Sequence, residues 1–112
     1  MYNMDMEPVK LRNIVERLKT GLSEILSDRL ERVYLYGSQA RGEAWTGSDI
    51  DVIIVLKGDF DYSEMLDQTI DLVADLSLEH DVVISRVFVS RERFNNEMSP
   101  FYMNVRREAV PV

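Results

Sequence analysis

The residues best suited to chemistry in this chain are a glycine-serine turn and a pair of aspartates. Gly37 and Ser38 follow one short apolar segment, and Asp49 and Asp51 open the next. Alternate side chains of a β-strand leave the same face of its sheet, so the two aspartates are expected to converge. Carboxylates beside an apolar strand lose hydration and repel each other, which a bound cation would relieve. Mg²⁺ is the natural candidate because it prefers oxygen ligands.

The Gly37-Ser38 turn has the properties of a phosphate-binding turn. A glycine lets the backbone approach a phosphate closely, and Ser38 at the start of a brief predicted helix over 38–42 can donate its hydroxyl and amide. No lysine follows in the Gly-x-x-x-x-Gly-Lys spacing, which excludes a P-loop. Arg41 has two interpretations, a contact to a phosphate or a partner and a salt bridge that holds the turn against an acid, and both stay open. Ser48 is typical of a turn or helix cap.

The apolar spacing predicts the elements that must position these residues. A stripe at three- and four-residue steps predicts a helix over 8–28, and a second stripe, with Asp61 as its N-cap, predicts another over 61–78. Short apolar segments predict strands over 32–36, 50–56 and 81–89. A short capped helix is expected over 90–96. The aromatic and basic segment that follows, 100–107, is left unassigned.

The order of these elements predicts an α+β fold with a small mixed sheet. A strand, a helix and a strand imply parallel neighbours joined by a right-handed crossover. Since both parallel strands open with acids, Asp81 is expected to reach the same sheet edge as Asp49 and Asp51. The first strand must end at that edge to bring Gly37 there, so it is expected to run antiparallel to the second.

Composition narrows the class of protein. A chain of 112 residues with ordinary apolar content predicts one domain, 1–112, with its core at about 33–89. The net charge of -7 argues against stable nucleic-acid binding, which needs clustered Lys and Arg. No apolar run is long enough for a membrane span and no signal peptide is evident, so a cytoplasmic location is expected. The chain has no cysteine, and its single histidine, His80, is interpreted as structural.

These motifs together resemble the minimal nucleotidyltransferases, small members of the superfamily that includes DNA polymerase β. The resemblance covers about 33–89. The residues that carry it are Gly37-Ser38, Ala40-Arg41-Gly42, Ser48-Asp49-Ile50-Asp51 and the later Asp81.

The resemblance implies transfer of a nucleoside monophosphate, with ATP as the expected donor, to an acceptor hydroxyl. It implies that Asp49, Asp51 and Asp81 are both the catalytic residues and the Mg²⁺ ligands. Nucleotide contacts are implied for four residues of the turn and loop: Gly37, Ser38, Arg41 and Ser48.

The resemblance also suggests a partner. Stand-alone minimal nucleotidyltransferases pair with a helical toxin of the HEPN class and modify it with AMP, which makes a protein tyrosine the expected acceptor. A second interpretation is an antitoxin or scaffold that acts by contact alone, with transfer weak or lost. A third is a small-molecule transferase whose acceptor pocket forms between subunits of a homo-oligomer. A structural coincidence or a decayed site is the remaining alternative.

Overall fold

The computed structural model describes residues 8–37 and 49–112. The described helices are α1 (Pro8–Leu26), α2 (Tyr62–His80), α3 (Arg91–Asn96) and α4 (Pro100–Glu108), with one 3₁₀ turn at Ser27–Arg29. The described strands are β1 (Leu30–Tyr36), β2 (Asp49–Leu56), β3 (Val83–Ser90) and β4 (Val110–Pro111). The predicted helix over 38–42, and Ser38, Arg41 and Ser48, lie outside the described residues.

The described strands form one mixed sheet in the order β3-β2-β1-β4. β2 pairs with β1 in antiparallel fashion and with β3 in parallel fashion, and β4 lies antiparallel to β1 at the far edge. The α2 crossover joins the two parallel strands, as predicted. The predicted α+β class, with a small mixed sheet and helices packed on it, is therefore confirmed.

The sheet is covered on both faces, which explains why β2 is almost wholly apolar. One face packs against α1 and α2 through residues such as Ile50, Val52 and Ile54 of β2. The opposite face packs against α3 and α4 through Ile53 and Val55. Because faces alternate along a strand, the odd-numbered residues of β2 belong to the α3/α4 face.

Helix α2 begins as its sequence predicts. Asp61 is the N-cap, and its carboxylate accepts a hydrogen bond from the Glu64 amide at 3.2 Å. Thr69 is fully buried in the middle of the helix, and its hydroxyl accepts a hydrogen bond from Arg86 Nε at 2.9 Å. This bond ties the crossover helix to β3.

Among the described residues, no helix combines the length and the apolar character that a membrane span requires.

The structure differs from the predicted elements at the start of the third strand and in the segment after Ser99. The third strand begins at Val83 rather than at Asp81, because α2 continues to His80 and Asp81 then adopts a left-handed conformation, with φ 55° and ψ 52°. The unassigned segment after Ser99 forms α4, for which the Ser99 hydroxyl accepts a hydrogen bond from the Tyr102 amide. A serine N-cap followed by proline at the first helical position is a recognised start signal.

Candidate active site

Asp49 and Asp51 lie on one face at the first and third positions of β2. They share the α3/α4 face with Ile53 and Val55, which those helices cover. Asp49 is exposed and Asp51 half-buried, so the packed layer ends before it reaches the aspartates. The convergence predicted from the Asp-x-Asp spacing is therefore present in the structure.

Gly37 brings the backbone directly against the second carboxylate. Tyr36, the last residue of β1, pairs with Asp51, and Gly37 follows it with a positive φ of 79°. A Cβ atom built on Gly37 would lie 2.7 Å from Asp51 Oδ2, closer than carbon and oxygen atoms pack. Glycine is required here for two reasons, the left-handed backbone and the carboxylate beside it.

The electrostatics of the pair favour a bound cation. Burial raises the pKa of the Asp51 carboxyl above its ordinary value, and the neighbouring charge of Asp49 raises it further. Ionisation of Asp51 is therefore less favourable in the folded chain than in water. A divalent cation would reverse that preference, because it attracts both carboxylates and replaces lost hydration.

Asp81 is not gathered with the other two aspartates. It forms the C-cap of α2, where its amide donates to the Ser77 carbonyl, and it is exposed. It lines a surface pocket with residues that include Lys10, Asn13 and His80. Across residues 8–37 and 49–112, no cluster of three or more acidic, histidine or cysteine side chains is arranged to hold a metal ion.

His80, beside Asp81, takes part in contacts between α1 and α2. Its Nε2 atom lies 3.1 Å from Arg17 NH1 and 3.6 Å from Glu79 Oε2. The Arg17 contact joins the two helices and directs the imidazole toward α1, which agrees with the structural interpretation of this residue.

The structure adds neighbours of the aspartates that the sequence reasoning missed. Tyr36 pairs with Asp51 from the β1 side, and the ring of Phe101 packs edge-on against the Tyr36 ring with centroids 5.8 Å apart. On the β3 side, Ser85 pairs with Asp51 and Val83 pairs with Asp49. Register between strands would have identified these residues, but it could not be counted until the start of β3 was known.

The carboxylates of Asp49 and Asp51 can supply part of the coordination shell of Mg²⁺. Mg²⁺ is commonly bound by one or two carboxylates, with water and substrate phosphates completing its octahedral shell. Asp49 and Asp51 supply such a pair, on one face of β2 and beside the Gly37 turn. The geometry thus defines the class of the site, a carboxylate pair beside a glycine turn on a mixed sheet.

Comparison with known proteins identifies the family. The family model described as "Polymerase beta, Nucleotidyltransferase" matches residues 20–98. The chain is 41% identical over 95 residues to a Methanocaldococcus jannaschii protein named "Putative protein adenylyltransferase MJ0604", covering 84% of this chain and 89% of that protein. This chain belongs to the polymerase beta nucleotidyltransferase family, as the motif resemblance predicted.

Solved structures agree on the fold. A structure described as a "putative minimal nucleotidyltransferase" has a TM-score of 0.55 and 27% identity, covering 91% of this chain and 95% of that one. A second, described as a "toxin-antitoxin with AMP-PNP", has a TM-score of 0.61 and 18% identity, covering 86% of this chain and 69% of that one. The second likeness is one of fold alone.

Proposed function

We propose that this protein transfers a nucleoside monophosphate, with ATP as donor and Mg²⁺ as the required cation, to a hydroxyl group on a partner protein. The observation that carries the proposal is the arrangement of Asp49 and Asp51 on one sheet face, with the Gly37 backbone against the second carboxylate. The family and the name of the 41% identical relative support the reaction class.

The chemistry is an in-line displacement at the α-phosphorus of the nucleotide. The acceptor oxygen forms a bond to phosphorus, the bond between that phosphorus and the bridging oxygen to the β-phosphate breaks, and pyrophosphate leaves. Bound Mg²⁺ would neutralise the charge that develops on the attacking and leaving oxygens. Asp49 and Asp51 would hold it, while Gly37 leaves room for the Asp51 carboxylate.

The remaining predicted contacts form part of the proposal. Ser38, Arg41 and Ser48 are proposed to contact the nucleotide phosphates, as the family resemblance implies. The resemblance also assigns the acceptor-side metal and the acceptor proton to Asp81. Its C-cap position gives that assignment no geometric support, so the proposed route for the proton is to solvent water.

The proposed acceptor is a partner protein of the HEPN class. Support comes from two directions: the relative's name specifies protein adenylylation, and a neighbour of the same fold is a toxin-antitoxin with AMP-PNP. Contact without transfer is the competing function, and it differs in a measurable way, because only transfer leaves AMP covalently attached to the partner.

The deciding experiment follows the α-phosphate. The protein is incubated with Mg²⁺, ATP labelled at the α-phosphate and a candidate helical partner, and the partner is examined for covalent label. We expect label with the wild type, no label with Asp51→Asn, and full label with Asp67→Asn, which removes an exposed acid on α2 as a matched control. Equal labelling by Asp51→Asn would refute the site. A stable complex that acquires no label would favour the binding function.

A further inference from the structure

The register of the sheet identifies which residue of β3 faces the carboxylate pair. β2 and β3 pair in parallel, with Asp49 opposite Val83 and Asp51 opposite Ser85. Paired residues in neighbouring strands lie on the same face of a sheet. Val83 and Ser85 therefore share the face of the aspartates, whereas Ile84 points into the α1/α2 core.

Ser85 is the polar side chain that β3 presents beside the pair. The other described residues of β3 on this face are Val83, Val87 and Val89. Ser85 is exposed, and its hydroxyl makes no hydrogen bond within the part of the chain that the structure describes. Neighbouring strands lie about 4.8 Å apart, so the Ser85 side chain is an immediate neighbour of Asp51.

Asp81 is too far along the chain to take that position. It precedes Val83 by two residues, and each residue advances a strand by about 3.3 Å. Even a straight extension of β3 would place Asp81 four residues, about 13 Å, from the level of Asp51, whereas Ser85 pairs with Asp51 directly. The left-handed turn at Asp81 instead ends α2.

We propose that Ser85, rather than Asp81, occupies the third position of the metal site, which is consequently a site of two carboxylates from one strand and one neutral hydroxyl from the next. This inference rests on the proposed function, because it concerns the same site. It makes a specific prediction: a carboxylate introduced at residue 85 will complete a three-acid site, since Ser85 lies opposite Asp51 on the face that carries both aspartates.

The test is Mn²⁺ binding to the full chain in the presence of ATP, measured from the electron paramagnetic resonance signal of free Mn²⁺, with no transfer required. We expect Ser85→Asp to bind Mn²⁺ about tenfold more tightly than the wild type, because it adds a negative charge opposite Asp51 on the neighbouring strand. Ser85→Asn, which matches aspartate in size without its charge, is the control and should show no gain. Asp81→Asn should stay within about twofold of the wild type, since asparagine also tolerates the left-handed conformation.

Two results would overturn the inference. One is a tenfold loss of Mn²⁺ affinity in Asp81→Asn, and the other is no gain in Ser85→Asp when circular dichroism shows the variant to be folded. Failure of the wild type to label any partner would instead refute the proposed function. The two failures are distinguishable, because the metal comparison needs no acceptor.

Discussion

Replacing Gly37 with alanine tests whether the turn after β1 positions the Asp51 carboxylate. The new Cβ would lie 2.7 Å from Asp51 Oδ2, whereas close carbon-oxygen contacts lie at about 3.3 Å, so the carboxylate must move by about 0.6 Å. A displacement of 1 Å in an active site can cost about 10²-fold in rate. We therefore expect Gly37→Ala to lower Mg²⁺-dependent transfer by about tenfold.

The same substitution also affects stability, because alanine must adopt the positive φ of 79°. A non-glycine residue in the left-handed region costs about 1–2 kcal/mol. For a domain of this size, 1 kcal/mol corresponds to about 4 °C in Tm, so a fall of about 4–8 °C is expected. Thermal melts with and without Mg²⁺ and ATP measure two quantities. The Tm of the apo protein should fall because of the strained backbone, and the rise in Tm caused by Mg²⁺ and ATP should shrink because the Asp51 carboxylate is displaced.

Two other glycines separate the effects. Gly58→Ala is the neutral control, because no heavy atom lies within 4 Å of the Cβ it would add. Gly21→Ala places a Cβ 2.6 Å from the end of the Leu72 side chain, between α1 and α2 and away from the aspartates. It is expected to alter the apo Tm while keeping the full ligand-induced rise. A Gly37→Ala protein that kept the wild-type rise would refute the proposed closeness of this turn to the metal site.

Further predictions concern charge and capping. Because its folded-state pKa is raised, Asp51 destabilises the fold as pH rises through that pKa, so Asp51→Asn should raise the apo Tm at pH 7 and lose this advantage in acid. For the same reason, the Tm rise caused by Mg²⁺ and ATP should disappear on acidification at a higher pH than an ordinary aspartate would give. Thr69→Val should cost about 1–3 kcal/mol in urea unfolding, because Arg86 Nε loses its buried acceptor, while Thr69→Ser retains it. Asp81→Gly should stabilise the apo protein by up to about 1 kcal/mol by relieving the left-handed backbone, with an unchanged Mg²⁺ response.

Much of the fold could be predicted because periodicity and caps act locally. The three-and-four spacing of apolar residues in α1 and the Asp61 N-cap of α2 are properties of a few neighbouring residues, and both occur as predicted. The helix after Ser99 has the same kind of local signal, a serine N-cap followed by Pro100. β4 is different, because a strand of two residues, Val110–Pro111, has no periodicity and exists only through its pairing with β1.

The shared face of Asp49 and Asp51 could be predicted because it depends on one strand, whereas the residue opposite them depends on two. The Asp-x-Asp pair needs only the alternation of side chains along β2. The third position needs the register between β2 and β3, which depends on where the crossover helix ends. An acid before an apolar segment suits a strand start, but aspartate also tolerates the left-handed conformation that ends a helix, and at Asp81 the helix end prevailed. Because β3 starts two residues later than predicted, the faces of the strand alternate as expected but each residue is shifted by about 6.6 Å relative to β2. Ser85 consequently lies opposite Asp51.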